Sequence, residues 1–432
     1  MARMKPITEG RDPLTAEEGE SAAAAIFKRY WGKRRLAVRI LEAFLNPLVW
    51  LSKTKAIPSL EEVEQILVFE PGSLGDLVML MPFLRSLRAG FPKAKLSLLC
   101  RSSGREKSQV YASISQAGIE TLLLDQGYVE ELIPVPVPWL LDVSIWKKYN
   151  PFSLNWPKFL WRLRQLNRRN FDLAFPGGRS DIRYNLALWF TGAKRRVGYG
   201  YAGGGFLLTD VVVPDTARPH QTELSLQLSE YLGIPSLRDG QLVSLSSKDH
   251  DFSLNFLKEY GIASDDLVVG VHPGSRVPTR QWGEERFLEI AEKLAENYGA
   301  KVVWFAEPES PAIAHSSRNI ISISLPLREF LAVLSRCRFL VCNESGPMHM
   351  AAAVGVPVVS VFGSGFPEWF RPLGEGHRIV IRRDVWCRPC ADRCIFKEPY
   401  CLKLIPVEEV MHAADEMLRA VAGIYASAGG RE

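Results

Sequence analysis

The sequence predicts an α/β protein of two doubly wound parallel-sheet domains that face one another across a cleft. Three observations carry this reading. The chain has 432 residues, which is long for one ordinary domain and suits two with appendages. Two stretches, residues 65–100 and 339–362, each read as strand, tight loop, helix, strand. The same alternation runs from residue 267 to residue 362, as stacked βαβ units require.

Residues 1–60 precede the first such unit. The opening twenty are polar, and the next part interleaves Phe27, Trp31, Leu41, Phe44, Leu48 and Trp50 with Lys28, Arg29, Lys33, Arg34, Arg35 and Arg39. That mixture is expected to form a basic amphipathic helix, lying either on an anionic membrane surface or on the protein's own flank. No apolar run reaches the roughly 18 residues of a spanning helix, and no cleavable secretory signal is apparent, so a cytoplasmic site is expected.

The first domain is expected over residues 61–235. Ile66-Leu67-Val68-Phe69 reads as a buried strand, residues 70–75 as a loop, 76–88 as an amphipathic helix stopped by Gly90, and 95–100 as a second strand. Further strands are expected at 121–124, 131–135 and 171–175, with a helix at 156–169. Pro134, Pro136, Pro138, Pro151 and Pro157 break the stretch that carries Trp139, Trp146 and Trp156, which predicts an insertion whose aromatics are buried. Residues 232–266 are weakly patterned and read as a linker.

The second domain is expected over residues 236–432, with strands at 267–272, 301–305, 339–343 and 358–362 and a closing helix at 406–422. Its most informative stretch is Asn343-Glu344-Ser345-Gly346-Pro347-Met348-His349, where an apolar strand runs into a helix start. Such a turn leaves unpaired N–H groups and a positive dipole end, which is an anion site. Ser345 adds a hydroxyl, Gly346 allows close approach, and His349 presents a ring nitrogen to a phosphate or ribose. In sheets of this kind ligands bind beyond the carboxyl ends of the strands, where this loop and the loop at 70–75 both fall.

Composition narrows the function classes. Apolar residues make up 47% and charged residues 23% of the chain, and the net charge is only +5. No recognition motif accompanies the basic residues, so a nucleic-acid partner is not expected. Gly72-x-x-Gly75 is not the dinucleotide fingerprint, which argues against a nicotinamide-dependent dehydrogenase. Of seven cysteines, four are crowded as Cys387-x2-Cys390-x3-Cys394-x6-Cys401. They suit a zinc site, disulfides, or reduced packed thiols. Cys100, Cys337 and Cys342 lie in or beside apolar strands and read as core.

Three motifs, in order, resemble those of the bacterial ADP-heptose:lipopolysaccharide heptosyltransferase family, glycosyltransferase family 9. They are Ser73-Leu74-Gly75-Asp76, His272-Pro273-Gly274-Ser275 followed by Arg280-Gln281-Trp282, and Glu344-Ser345-Gly346-x-x-His349, within a resemblance spanning residues 62–418. It implies a GT-B-like pair of Rossmann-like domains and an inverting transfer of heptose from ADP-heptose to a lipopolysaccharide core-type acceptor.

Carried onto this chain, the resemblance makes Asp76 the base beside the acceptor hydroxyl, a position that would otherwise read as a helix cap. Donor contacts fall on Gly274, Ser275, Arg280, Leu325, Glu344, Ser345, Gly346 and His349. Acceptor contacts fall on Ser73, Gly75, Arg101 and Arg179, with Ser180, Arg183, Lys194, Arg195 and Arg196 nearby to meet phosphates. Glu344 stands where the family usually has Asp, and Arg280 where Lys is usual, so another nucleotide sugar is the alternative donor. A non-catalytic, membrane-associated nucleotide- or saccharide-binding protein is the alternative from another class. No cofactor is expected, and no Asp-x-Asp donor loop is present to hold a divalent metal, so metal-independent transfer is expected. The partners implied are an ADP-sugar, a phosphorylated glycolipid and the inner-leaflet membrane surface, which makes the protein peripheral at the inner face of the cell membrane. Relatives with similar cysteine segments favour a local structural role for that region.

Overall fold

The computed structural model describes residues 43, 56–102, 116–140, 155–306, 318–388, 390, 392 and 394–428. The expected amphipathic segment lies almost wholly outside them, as does Trp146. Among the described residues, no helix is long and apolar enough to cross a membrane.

Two six-stranded sheets organise the chain. The first comprises β1 (Gln65–Phe69), β2 (Lys95–Arg101), β3 (Glu131–Val135), β4 (Leu173–Pro176), β5 (Arg195–Tyr199) and β6 (Asp210–Val212), in the order β3-β2-β1-β4-β5-β6. The second comprises β7 (Val268–His272), β8 (Lys301–Phe305), β9 (Ile320–Ile323), β10 (Leu340–Asn343), β11 (Val358–Phe362) and β12 (Arg378–Ile381), in the order β12-β11-β10-β7-β8-β9. All neighbouring strands are parallel. Each sheet therefore repeats the same doubly wound arrangement, with its switch point between its first and fourth strands. Apolar runs such as Ile66 to Phe69, all at most 1% exposed, form these strands because helices cover both faces.

Helices α1 (Leu74–Gly90), α2 (Asn155–Leu166), α3 (Ile182–Phe190) and α4 (Gln221–Tyr231) flank the first sheet. Helices α5 (Ser247–Glu259), α6 (Glu284–Tyr298), α7 (Leu327–Leu334), α8 (Gly346–Ala353) and α9 (Val407–Ala428) follow. α1 packs against α4 and also against α8, so it joins the two halves. Across the same junction the Tyr128 hydroxyl donates to the Leu242 carbonyl at 2.7 Å, and His220 Nε2 lies 3.0 Å from the Arg371 carbonyl. Thr222 Oγ1 donates to the Met79 carbonyl at 2.8 Å, locking α4 to α1.

Three expectations are corrected. Residues 121–124 are helical: Gln116–Ile119 continues into a single π turn, Glu120–Leu124, that buries Leu122 and Leu123 completely. A four-residue apolar run has no periodicity with which to separate helix from strand. The weakly patterned 232–266 contains α5, started by a capping box between Ser246 and Asp249 and tied to α7 where Arg328 donates to Asp249 at 2.9 Å.

The third correction concerns the basic residues near β5. Lys194 donates to Asp172 at 2.7 Å, Arg195 forks onto Asp210, and Arg196 donates to the carbonyls of Ala193 and Leu207. These groups sit at the amino end of β5, away from the carboxyl edge where ligands bind, and they close the sheet. Ser180 is fully buried and donates to the Tyr199 carbonyl at 2.8 Å, so it too supports the fold. Arg183 pairs with the N-cap Asp181 and lies over Trp139, 5.1 Å from its ring centre.

Trp139 is 3% exposed, with Phe159 at 5.4 Å and Trp156 at 5.5 Å between ring centres, which is the burial expected of the proline-broken stretch. Cys100, Cys337 and Cys342 are buried. The four later cysteines are free thiols, and burial pushes Cys390 up to about 11, helped by the neighbouring sulfurs. Among the described residues, no group of three or more His, Cys, Asp or Glu is arranged to hold a metal.

Candidate functional site

Both switch-point loops meet at one place. The loop after β1 ends in the capping box of α1: Asp76 Oδ2 accepts from the Ser73 N–H at 2.7 Å and from its hydroxyl at 2.8 Å. The other oxygen, Oδ1, accepts from Arg179 Nη2 at 2.9 Å, from the loop after β4. Burial raises the Asp76 carboxyl, but Arg179, the Ser73 donors and the nearby His349 outweigh it and hold the group below its ordinary value. Asp76 is therefore a carboxylate, and 17% of its side chain remains open. Cap and open carboxylate are one residue.

Beside it lies a recess lined by Glu70, Asp76, Met79, Leu80, Gly178, Arg179, Gln221 and Ser225. Glu70 is 3% exposed and its carboxyl is pushed up to about 8 by burial first and by Asp76 second, against Arg179 and the Gly72 N–H. The sequence reading missed it, although an acid ending an apolar strand was a visible signal.

His349, in the first turn of α8, faces this loop from the second sheet. A Cβ on Gly75 would lie 3.0 Å from its Cδ2, and 3.5 Å from Gly346 Cα. Burial, then the neighbouring His220, lowers the imidazole to about 3, so the ring is neutral near pH 7; Asp76 opposes that shift and Arg280 adds to it. Its Nδ1 is buried without a hydrogen-bond partner among the described residues. Such an atom is costly to leave unmatched unless a ligand or water meets it.

The residues expected to contact the donor converge through Asn343, the last residue of β10. Its side chain donates to the Pro273 carbonyl at 2.5 Å and accepts from the Trp282 N–H at 3.1 Å, drawing the 273–282 loop onto β10. Ser275 is 7% exposed and its carbonyl accepts from Gln281 at 2.6 Å, while Gly274 is half-buried. Ser345 is the N-cap of α8 without capping it; its hydroxyl donates to the Asn343 carbonyl at 3.3 Å. Trp282 is core, with its indole N–H on the Ile405 carbonyl at 3.0 Å.

Arg280 forks onto Asp392 at 2.8 and 2.7 Å and reaches Glu344 Oε1 at 3.4 Å. Burial works against its charge, but Glu344 and Asp392 raise the guanidinium above its ordinary value. Glu344 is 1% exposed, with Oε2 on the Gly365 N–H at 3.1 Å; burial pushes it up to about 6 against the pull of Arg280. Asp392 also accepts from the Ser364 hydroxyl at 2.5 Å and takes a left-handed backbone, φ 65°. Its role was not readable in sequence, because it depends on a fold-back of the cysteine segment onto the β7 loop.

Asp76, Ser73, Gly75, Arg179 and His349 are thus brought together, as are Arg280 and Glu344. His349 feels both groups, Asp76 favouring its charged form and Arg280 opposing it. Leu325 stands apart after β9, half-buried against the core, and Arg101 ends β2 at the same carboxyl edge as the first loop.

The profile of glycosyltransferase family 9 (heptosyltransferase) matches residues 160–400. Lipopolysaccharide heptosyltransferase 2 of Escherichia coli K12 is 24% identical over 343 residues, covering 73% of this chain and 87% of that protein. Lipooligosaccharide heptosyltransferase 2 of Haemophilus ducreyi is 29% identical over 338 residues, covering 74% and 88%. The solved structure of the E. coli ADP-heptose lps heptosyltransferase II superposes with a TM-score of 0.59 at 20% identity, over 82% of this chain and 99% of that one, and shares the two-domain GT-B fold.

Proposed function

Because the chain belongs to glycosyltransferase family 9, we propose that it transfers heptose from ADP-heptose to a lipopolysaccharide core-type acceptor, with inversion and without a metal. The observation that carries the proposal is the meeting of Asp76, an open carboxylate, with the donor-side helix start at His349. Domains divided near residues 235 and 236 would then supply acceptor and donor respectively.

In this reading Asp76 takes the proton from the acceptor hydroxyl. The oxygen forms its bond to the anomeric carbon as the bond from that carbon to the ADP oxygen breaks on the opposite face. Charge appears on the departing diphosphate. Arg280, the N–H groups of Gly274 and Ser275, and Ser345 and Gly346 at the start of α8 are suited to receive it, with His349 donating as a neutral ring. Leu325 walls the adenine. Ser73, Gly75, Arg101 and Arg179 face the acceptor, and Arg179 also keeps Asp76 ionised. The partners proposed are the ADP-sugar, a phosphorylated glycolipid and the inner-leaflet surface, met through the amino-terminal segment on the cytoplasmic side.

The buried Glu344 favours one second reading, the same machinery with another nucleotide sugar. Its carboxylate is turned onto Gly365 and Arg280, so it reaches a bound sugar differently from the shorter Asp usual in the family.

The test is nucleotide release by purified protein in EDTA from ADP-heptose and a panel of ADP-, UDP- and GDP-sugars, with a heptose-deficient core glycolipid as acceptor. Acceptor-dependent release from ADP-heptose is the expected result. Release from a different sugar establishes the second reading. Activity that appears only on adding magnesium or manganese defeats the metal-free step.

A further inference from the structure

The least expected group in the recess is Glu70. It directly follows β1 and lies next to Asp76: a Cβ built on Gly72 would be 2.6 Å from Glu70 Oε1 and 2.6 Å from Asp76 Oδ2, which puts the two carboxyl groups within about 5.2 Å of each other. Two carboxyl groups at that range in a buried site do not both ionise readily, and the one with the better donors keeps its charge. Asp76 has Arg179 and both Ser73 donors. Glu70 has one, the Gly72 N–H on Oε1 at 2.8 Å.

Oε1 carries that hydrogen bond; the other oxygen is Oε2, on a buried side chain that lines the recess. Gly177 leaves the space it occupies, since a Cβ there would lie 2.0 Å from it. The other polar liners are Asp76 and Arg179, which pair with each other at 2.9 Å, and the uncharged Gln221 and Ser225. An uncharged carboxyl is a hydroxyl donor, and a recess whose one cation, Arg179, is already paired with Asp76 and whose remaining polar side chains are neutral suits a sugar hydroxyl better than a phosphate.

We propose that Glu70 is an acceptor-specificity residue, held as the neutral acid so that Oε2–H donates to a hydroxyl of the acceptor sugar adjoining the one that Asp76 activates. The inference rests on the transferase reading above and adds to it the class of group recognised in this recess, an uncharged polyol edge. The charged and titratable groups facing Glu70 are Asp76 from α1, Arg179 from the β4 loop and Tyr184 from α3, with His349 of α8 acting on it through Asp76. With the carboxyl titrating at about 8, rising pH removes the donor and places a second negative charge beside Asp76. Acceptor binding is therefore lost on the alkaline side.

The experiment measures acceptor KM at saturating ADP-heptose from pH 6.5 to 9.5 for the wild type, Glu70→Gln and Glu70→Ala. Calorimetric binding of the delipidated acceptor saccharide to the ADP complex of the same full-length proteins runs in parallel. The wild-type KM is expected to rise about tenfold per pH unit once the carboxyl ionises. Glu70→Gln, which keeps a donor without a charge, should hold the neutral-pH value within about threefold and stay flat to pH 9.5. Glu70→Ala should hold KM about tenfold or more above the wild type's neutral-pH value, with no alkaline rise, as loss of a buried donor does. An alkaline rise that persists in Glu70→Gln, or a fall in kcat at constant KM, overturns the proposal. If turnover is absent with every acceptor, the transferase reading fails, and the binding data judge Glu70 separately: pH-independent binding by the wild type, or none at any pH, overturns its role.

Discussion

Glu344 and Gly365 occupy one another's space: a Cβ on Gly365 would fall 1.7 Å from Glu344 Oε1 and 2.4 Å from Oε2, while the Gly365 N–H is the donor that holds Oε2. The longer acid in the donor motif is thus matched by a glycine twenty-one residues later, on the loop after β11. Gly365→Ala should cost about 1–3 kcal/mol, the usual range for overpacking, in urea unfolding. Adding Glu344→Asp, which withdraws the carboxylate, should recover more than half of that loss. Additive effects in the double variant would show that the two positions are independent.

The Glu344 carboxyl, raised by burial to about 6, sets a pH dependence for the donor. Above that value it is charged and pairs with Arg280; below it the carboxyl is neutral, and the guanidinium, charged at either pH, is offset less and would attract the proposed diphosphate more strongly. ADP affinity should therefore rise as pH falls from 7.5 to 5.5, by about three- to tenfold. Calorimetry on Glu344→Gln should give the tighter value at both pH values.

Asp392 fixes the plane of Arg280 through two parallel hydrogen bonds. Asp392→Ala leaves the guanidinium with Glu344 alone, so kcat/KM for the donor should fall by about tenfold, with acceptor KM unchanged. Steady-state kinetics with each substrate varied in turn decides it; an equal effect on acceptor KM would point to a general loosening of the cleft.

Replacing Asp76 separates its role as a helix cap from its proposed role as the base. Asp76→Asn keeps a side chain able to accept from the Ser73 N–H, so unfolding free energy should drop by only about 1 kcal/mol. Turnover should fall by about 10²–10⁴, the range for loss of a positioned base, while ADP affinity stays within about twofold. Loss of ADP binding in step with turnover would assign Asp76 to the donor site instead.

Much of this was legible in the sequence because apolar runs and punctuating loops report directly on a parallel sheet. The strands carrying Ile66 to Phe69 and Val358 to Phe362 are buried as their composition requires. Asp76, His349 and Arg280 fall where loop motifs after strands put them. What sequence could not provide were relationships between distant segments. The fold-back that brings Asp392 to Arg280 spans 112 residues, and the glycine that admits Glu344 has no local signature. The cationic run at 194–196 looked like a phosphate surface because charge is visible in sequence and pairing is not; Asp172 and Asp210 account for two of those charges. Glu70 was visible but silent, since nothing in a linear pattern distinguishes a neutral acid from a charged one.

The approach of Gly75 to His349 has a mechanical meaning. With 3.0 Å between a would-be methyl group and the imidazole edge, the bare backbone acts as the spacer between α1 of the first half and α8 of the second. Any side chain there would work as a shim. The first carbon would force the His349 ring to give by a few tenths of an ångström, and each further one would wedge α1 and α8 apart, so in the proposed transfer residue 75 would set the distance between acceptor and donor.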